Sequence, residues 1–180
     1  MKPNLLIIAG TGNKSGKTSA ACRLISEFRD KGIVSVKITP HFHETTPGLV
    51  ILREEPGFSV YRETNMDLPK DTSRMLKAGA SAVFFAKVRD NNLMAAFSAI
   101  LDFTDPALPV LCESPALAGQ LEPGLLIIMK SSSENNQKNI NQLLRLPHVE
   151  LTLKDIYSDS VLPVLFRDGR WMSWKYGSVS

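Results

Sequence analysis

Gly10-Thr11-Gly12-Asn13-Lys14-Ser15-Gly16-Lys17-Thr18 follows the apolar run Leu5-Leu6-Ile7-Ile8-Ala9 and opens a segment with helical spacing. Strand, glycine-rich loop and helix, in that order, form the setting in which a phosphate-cradling loop makes physical sense. The backbone N–H groups of such a loop, with the partial positive charge of the helix N-terminus, face phosphate oxygens. Glycines let the backbone come close and take positive φ. In that arrangement Lys17 reaches the β- and γ-phosphates and the Thr18 hydroxyl ligates Mg²⁺. The expected contact set is Gly12, Asn13, Lys14, Ser15, Gly16, Lys17, Thr18 and Ser19. The usual motif places a glycine five residues ahead of the Gly of Gly-Lys-Thr, and here Thr11 holds that place. Gly10 and Gly12 flank it, so the loop is either one residue longer or differently wound.

Outward from this loop, 180 residues are enough to bury a sizeable core as one nucleotide-binding domain spanning 1–180. A net charge of +3 is too mild to argue for nucleic acid or a membrane surface as partner. No apolar run approaches transmembrane length, and the N-terminal apolar segment is too short for a signal peptide. Cys22 and Cys112 are the only cysteines, and both sit in apolar surroundings. That pattern favours reduced, packed thiols and a cytoplasmic protein.

Residues 18–31 read as a helix whose apolar stripe is Ala21, Leu24, Ile25 and Phe28, with Gly32 as its C-cap. The alternating, β-branched 33–38 reads as a second strand, which completes a right-handed β–loop–α–β unit. Residues 39–48 read as a loop. The segments 49–52 and 58–61, split by Glu55-Pro56-Gly57, read as a hairpin at the sheet edge or a flap over the site. A short helix over 70–78 is capped by Asp71 or Thr72 and ended by Gly79. Then come a strand at 81–88 and a helix at 91–103 with Leu93, Met94, Phe97, Ile100 and Leu101 on one side. Short buried strands at 109–112 and 125–129 and a helix at 133–146 carrying Ile140, Leu143 and Leu144 follow. The tail holds strand-like runs at 149–153 and 161–166 and a hairpin turn at Asp168-Gly169 into 170–175. The tail also offers material for a homodimer interface without demanding one. Alternating apolar strands and amphipathic helices predict a three-layer α/β fold of P-loop NTPase type, with a mostly parallel central sheet and a C-terminal β-hairpin. Ligands of such sheets bind beyond the C-terminal strand ends.

Glu113 ends the apolar strand Pro109-Val110-Leu111-Cys112. An acid at the tip of a buried strand is costly unless it is paired or faces a metal. Facing the loop, it would hold Mg²⁺ or orient an attacking water; otherwise it has simply emerged into solvent. Lys37, near the end of the second strand, is either a phosphate contact or a solvated strand-end lysine. His41, His43 and Glu44 read as a polar loop, a substrate contact or, less favoured, part of a Zn²⁺ site lacking a further ligand pair. Asp71 and Arg74 share a helix face, so Asp67 and Asp71 are placed to approach a metal and Arg74 an anion, or they form a cap and a surface ion pair. The stretch after Lys130 is where a nucleotide base would be read, yet it carries no Asn-Lys-x-Asp. Trp171 and Trp174 read as core or edge packing.

Together these residues resemble the P-loop family of the molybdopterin-guanine dinucleotide biosynthesis adaptor. That family's features match Lys37 with His41 and His43, then Asp71-Thr72-Ser73-Arg74 running to Ala78-Gly79-Ala80, then Glu113-Ser114. The resemblance covers about residues 4–145. The loop spacing and the run from Cys112-Glu113-Ser114 to Glu122-Pro123-Gly124-Leu125 are also similar to dethiobiotin synthetase and the cobyrinic-acid synthetases. The resemblance implies GTP or ATP with Mg²⁺, slow hydrolysis at most, and delivery of a nucleotide or cofactor to a cofactor-biosynthesis enzyme. It assigns Lys17 and Glu113 to catalysis, Thr18 and Glu113 to the metal, and Lys37 to the nucleotide. The alternative is an ATP-dependent ligase or kinase on a small carboxylic or hydroxylated substrate, held by Lys37, His41 and Arg74.

Overall fold

The computed structural model describes residues 1–12, 14–42, 45–131 and 140–175. Strand β1 (Lys2–Gly10) lies in the interior of an eight-stranded sheet. Leu5 to Ala9 are buried on both faces, which is why the sequence shows an unbroken apolar run there instead of alternation. The other strands are β2 (Val34–Thr39), β3 (Leu49–Glu55), β4 (Phe58–Glu63), β5 (Ala82–Val88), β6 (Val110–Glu113), β7 (Pro123–Lys130) and β8 (Val149–Thr152). Their order is β3-β4-β5-β2-β6-β1-β7-β8. From β5 to β8 every neighbouring pair is parallel, whereas β3 and β4 form an antiparallel hairpin on one edge. The segment 49–61 is therefore part of the sheet and not a flap.

Helices cover both faces. Leu6 and Ile8 of β1 face α1 (Lys17–Glu27), α2 (Asp71–Lys77) and α6 (Leu153–Tyr157). Leu5, Ile7 and Ala9 face α3 (Leu93–Leu101), α4 (Pro115–Ala118) and α5 (Asn141–Leu144). This is the expected three-layer α/β arrangement with a mostly parallel sheet. A two-stranded antiparallel hairpin, β9 (Leu165–Arg167) and β10 (Arg170–Met172), ends the described chain. Asp168 and Gly169 both take positive φ at its turn, as an Asp-Gly hairpin requires. Trp171 is fully buried there, edge-on to Phe28 with ring centroids 5.2 Å apart, and pins the hairpin beside α1.

Several expectations need correction. The helix after the loop stops at Glu27, and a 3₁₀ turn over Arg29–Lys31 carries the chain to Gly32. Met94, Leu144 and Trp174 are substantially exposed and not core. Of the helix expected at 133–146, the described part is only Asn141–Leu144; residues 132–139 lie outside the described residues. The strand expected to run to residue 153 ends at Thr152, because Thr152 and Asp155 form a capping box that starts α6. The Thr152 hydroxyl and Asp155 exchange hydrogen bonds in a Thr-x-x-Asp pattern. Among the described residues no helix is long and apolar enough to cross a membrane.

Candidate functional site

Period-two alternation places the site. Ile33, just ahead of β2, and Ser35 within it face α1 and α2, so Lys37 does too; along β6, Leu111 does, so Glu113 follows. Lys37 and Glu113 are register partners on neighbouring parallel strands, which brings their side chains together at the C-terminal strand ends. The glycine-rich loop leaves β1 at the same edge, and α1 and α2 both begin there. The resulting cleft, about 450 Å³, is lined by Lys14 to Ser19, Lys37, Asp71, Arg74, Glu113, Leu153 and Tyr157.

The loop explains its own displaced glycine. A Cβ at Gly10 would collide with Ser15 Oγ, and one at Gly16 with Leu153, so neither position has room for a side chain. Thr11, at the usual glycine position, instead latches the loop to β7: its N–H donates to the Met129 carbonyl (3.1 Å), and its hydroxyl accepts from Ser131 N–H (2.9 Å). Gly16 sits at φ +89° as the N-cap of α1, a conformation that disfavours any side chain. The first helical bond runs from Ala20 N–H to Gly16 carbonyl, so the N–H groups of Lys17, Thr18 and Ser19 lie ahead of the helical ladder. No acidic residue occupies the first turn of α1, which leaves the positive end of the helix to an incoming anion. Lys17 folds back over the loop, its Nζ donating to the Gly12 carbonyl and to Ser15 Oγ, both at 3.4 Å.

Behind the loop, Thr18 Oγ1 donates to Glu113 Oε2 at 3.0 Å. Glu113 Oε1 lies 3.3 Å from Lys37 Nζ, and the same ammonium is hydrogen-bonded to Asp71 Oδ2. Burial opposes the charge of Lys37, but Glu113 and Asp71 outweigh it and hold its ammonium above the ordinary range. Burial likewise pushes the Asp71 carboxyl up, and the bonds from Lys37 and Thr18 prevail and hold it below its ordinary value. Glu113 is buried, not emerged into solvent. Arg74 extends the rim, with Nη2 donating to Ser19 Oγ at 3.4 Å and Nη1 lying 3.9 Å from Asp71.

Asp71 does not cap its helix; Lys70 is the N-cap and makes no side-chain cap bond, while Asp71 reaches Lys37. Asp67 is exposed and stays outside the cleft. His41 borders a second cleft of about 280 Å³ with Lys37, Thr39, Asp71, Phe85 and Lys87, so the two clefts share Lys37 and Asp71. Asn13, His43 and Glu44 lie outside the described residues. Lys130 pairs with Glu150 at 2.6 Å on the far side of β7. The residues that sequence reasoning passed over are Leu153 and Tyr157, carried into the cleft wall by α6. Tyr157 stands 3.2 Å from Ser19 Oγ, and Arg23 Nη1 fixes α6 by donating to the carbonyls of Asp155, Ile156 and Ser158.

Among the described residues no three His, Cys, Asp or Glu side chains form a ready-made metal cage. A divalent ion here would rely on the Thr18 hydroxyl, two carboxylates, phosphate and water, the mixed shell that Mg²⁺ accepts. No protein-family model matches the chain, and no curated protein or solved structure matches it.

Proposed function

We propose that this chain is a P-loop NTPase-type protein that binds GTP or ATP with Mg²⁺ in the cleft at Gly10–Ser19 and hydrolyses it slowly. The observation that carries the reading is the Thr18–Glu113 hydrogen bond at the head of α1, directly behind a loop over which Lys17 is folded. Backbone N–H groups from Gly12 to Ser19 cradle the phosphates, and Lys17 leaves its loop partners to neutralise the β- and γ-oxygens. Thr18, with Glu113 and Asp71, would hold Mg²⁺, which would offset the charge of the triphosphate. Glu113 also orients water toward the terminal phosphate. Such catalysis is mostly positioning and charge stabilisation, which fits a slow enzyme serving as a carrier. By resemblance, the carried nucleotide is handed to an enzyme of molybdenum-cofactor biosynthesis.

A second reading, an ATP-dependent ligase or kinase on a small carboxylic or hydroxylated substrate, is favoured by the adjoining cleft. That cleft adjoins the first through Lys37 and Asp71. A sharp rise in nucleotide turnover on adding the substrate separates it from the carrier.

The test is calorimetric titration with non-hydrolysable GTP and ATP analogues, with and without Mg²⁺. Mg²⁺-dependent binding is expected, with Lys17→Ala weakening it by about tenfold or more, at least about 1.4 kcal/mol. Guanine preference supports the carrier and adenine preference the ligase. Failure to bind either, or unchanged affinity in Lys17→Ala, overturns the assignment.

A further inference from the structure

We propose that Lys37 is an internal counter-cation, which holds the seat between Asp71 and Glu113 and must yield it before a divalent ion is bound there. The proposal rests on the nucleotide-binding reading for what enters the cleft. The ammonium touches both carboxylates, while the remaining oxygen of Glu113 takes the Thr18 hydroxyl. Lys37 is thus surrounded by the same oxygens that a metal ion would use. Two facing carboxylates, one of them only 7% exposed, cannot both stay ionised without nearby positive charge; Lys37 supplies it to both, while Arg74 stands 3.9 Å from Asp71.

The acceptors and the ammonium differ in mobility. Glu113 is fixed by its register in the sheet. Asp71 is fixed by its neighbours, because Lys70 and Thr72 both bind the buried Glu63 at the end of β4. Lysine, in contrast, carries its charge on a flexible four-carbon stem. Lys37 also borders the second cleft, so its ammonium has room to turn away from the carboxylates. A bare divalent ion must displace an ammonium from its two partners and turns the summed charge of Lys37, Asp71 and Glu113 from one net negative to one net positive. An ion arriving with a triphosphate brings compensating negative charge, and Lys37 gains a new anionic neighbour. Lys37 therefore makes the nucleotide-free protein discriminate against metal alone.

The test is Mn²⁺ titration of the nucleotide-free, full-length protein, with free Mn²⁺ followed by electron paramagnetic resonance. Lys37→Met should bind Mn²⁺ about tenfold or more tightly than wild type, while Lys37→Arg, which keeps a permanent charge, stays weak. Lys37→Gln, which retains a polar group between the carboxylates, should tighten in the same direction and covers a misfolded methionine variant. Adding Asp71→Asn to either neutral variant should abolish the gain. Equal Mn²⁺ affinity in wild type and the neutral variants, or a gain that survives Asp71→Asn, overturns the proposal. Mn²⁺ retained with wild type on gel filtration in the presence of GTP or ATP, against a control of nucleotide and Mn²⁺ without protein, reads the parent proposal separately. Its absence beside a tightened Lys37→Met removes the nucleotide site and leaves the counter-cation standing.

Discussion

Three consecutive residues at the start of α2, Lys70, Asp71 and Thr72, feed two charge networks with opposite characters. On one side the Glu63 carboxylate is completely buried; it accepts from Lys70 (2.8 Å), from the Thr72 hydroxyl (2.6 Å) and from Asn65 N–H (3.0 Å). Lys70 spends its other donors on Thr46 Oγ1 and the Pro47 carbonyl, both at 2.8 Å. That network is closed. On the other side Asp71 and Glu113 share the Lys37 ammonium along the wall of an open cleft, with the Thr18 hydroxyl on Glu113 and Arg74 at 3.9 Å from Asp71. A buried carboxylate with every oxygen occupied by its own chain serves the fold. Carboxylates gathered round a displaceable ammonium at the rim of a cleft are suited to a ligand.

The comparison breaks if the two acids behave alike. Glu63→Ala leaves Lys70 and Thr72 without their acceptor, and breaking such a buried pair costs about 3 kcal/mol. For a domain of this size that is a fall of roughly 6–12 °C in Tm, read by thermal unfolding, with nucleotide affinity in the absence of Mg²⁺ unchanged. A wild-type Tm would mean that the closed network does not hold α2. Glu113→Gln keeps the shape and one acceptor oxygen but loses the charge. Mg²⁺-dependent hydrolysis should fall about tenfold, about 1.4 kcal/mol of barrier, with Tm within a few degrees of wild type. Equal hydrolysis rates would return Glu113 to a purely structural role.

The smallest effect sharpens the contrast through pH. Glu63 is pushed up by burial, but Lys70, Thr72 and Asn65 prevail and hold it below its ordinary 4.5. Asp71 is held below its ordinary 3.8. Depressed carboxylates contribute stability that is present above their unfolded values and is lost as pH falls through the folded ones. Lys37, raised above 10.5, contributes fully below that value and loses its contribution as pH rises through its folded one. Stability should therefore decline below about pH 4.5 and again in strong alkali. Unfolding followed along the acid limb should give a shallower slope for Glu63→Ala than for wild type; parallel curves would count against the closed network.

Much of the site was legible, because its parts are local. The apolar run into Gly10–Thr18 marked the strand and loop, and the acid ending β6 marked the carboxylate. The choice between readings at Lys37 and Asp71 was not legible. Local propensity offers Asp71 a helix cap, and only the arrival of Lys37, 34 residues away in sequence, offers it a better partner. Tyr157 escaped notice because its helix is five residues long and follows a strand without a loop, with only Thr152 and Asp155 to announce it.

By itself the sequence determined the alternation of strands and helices, the buried character of β1 and β7, and the loop from which anion recognition would come. These follow from periodicity and backbone chemistry over a few neighbouring residues. The tertiary structure alone decided that a side chain at Gly10 would collide with Ser15 while Thr11 is accommodated against β7, and that Asp71 rather than Asp67 joins the cleft. It also decided that Thr18, Lys37 and Glu113 meet. The reason is separation: Thr18 and Glu113 are 95 residues apart, and Lys37 and Glu113 are 76 apart. They face each other because β6 inserts between β2 and β1, an order set by packing the whole sheet and written in no single segment.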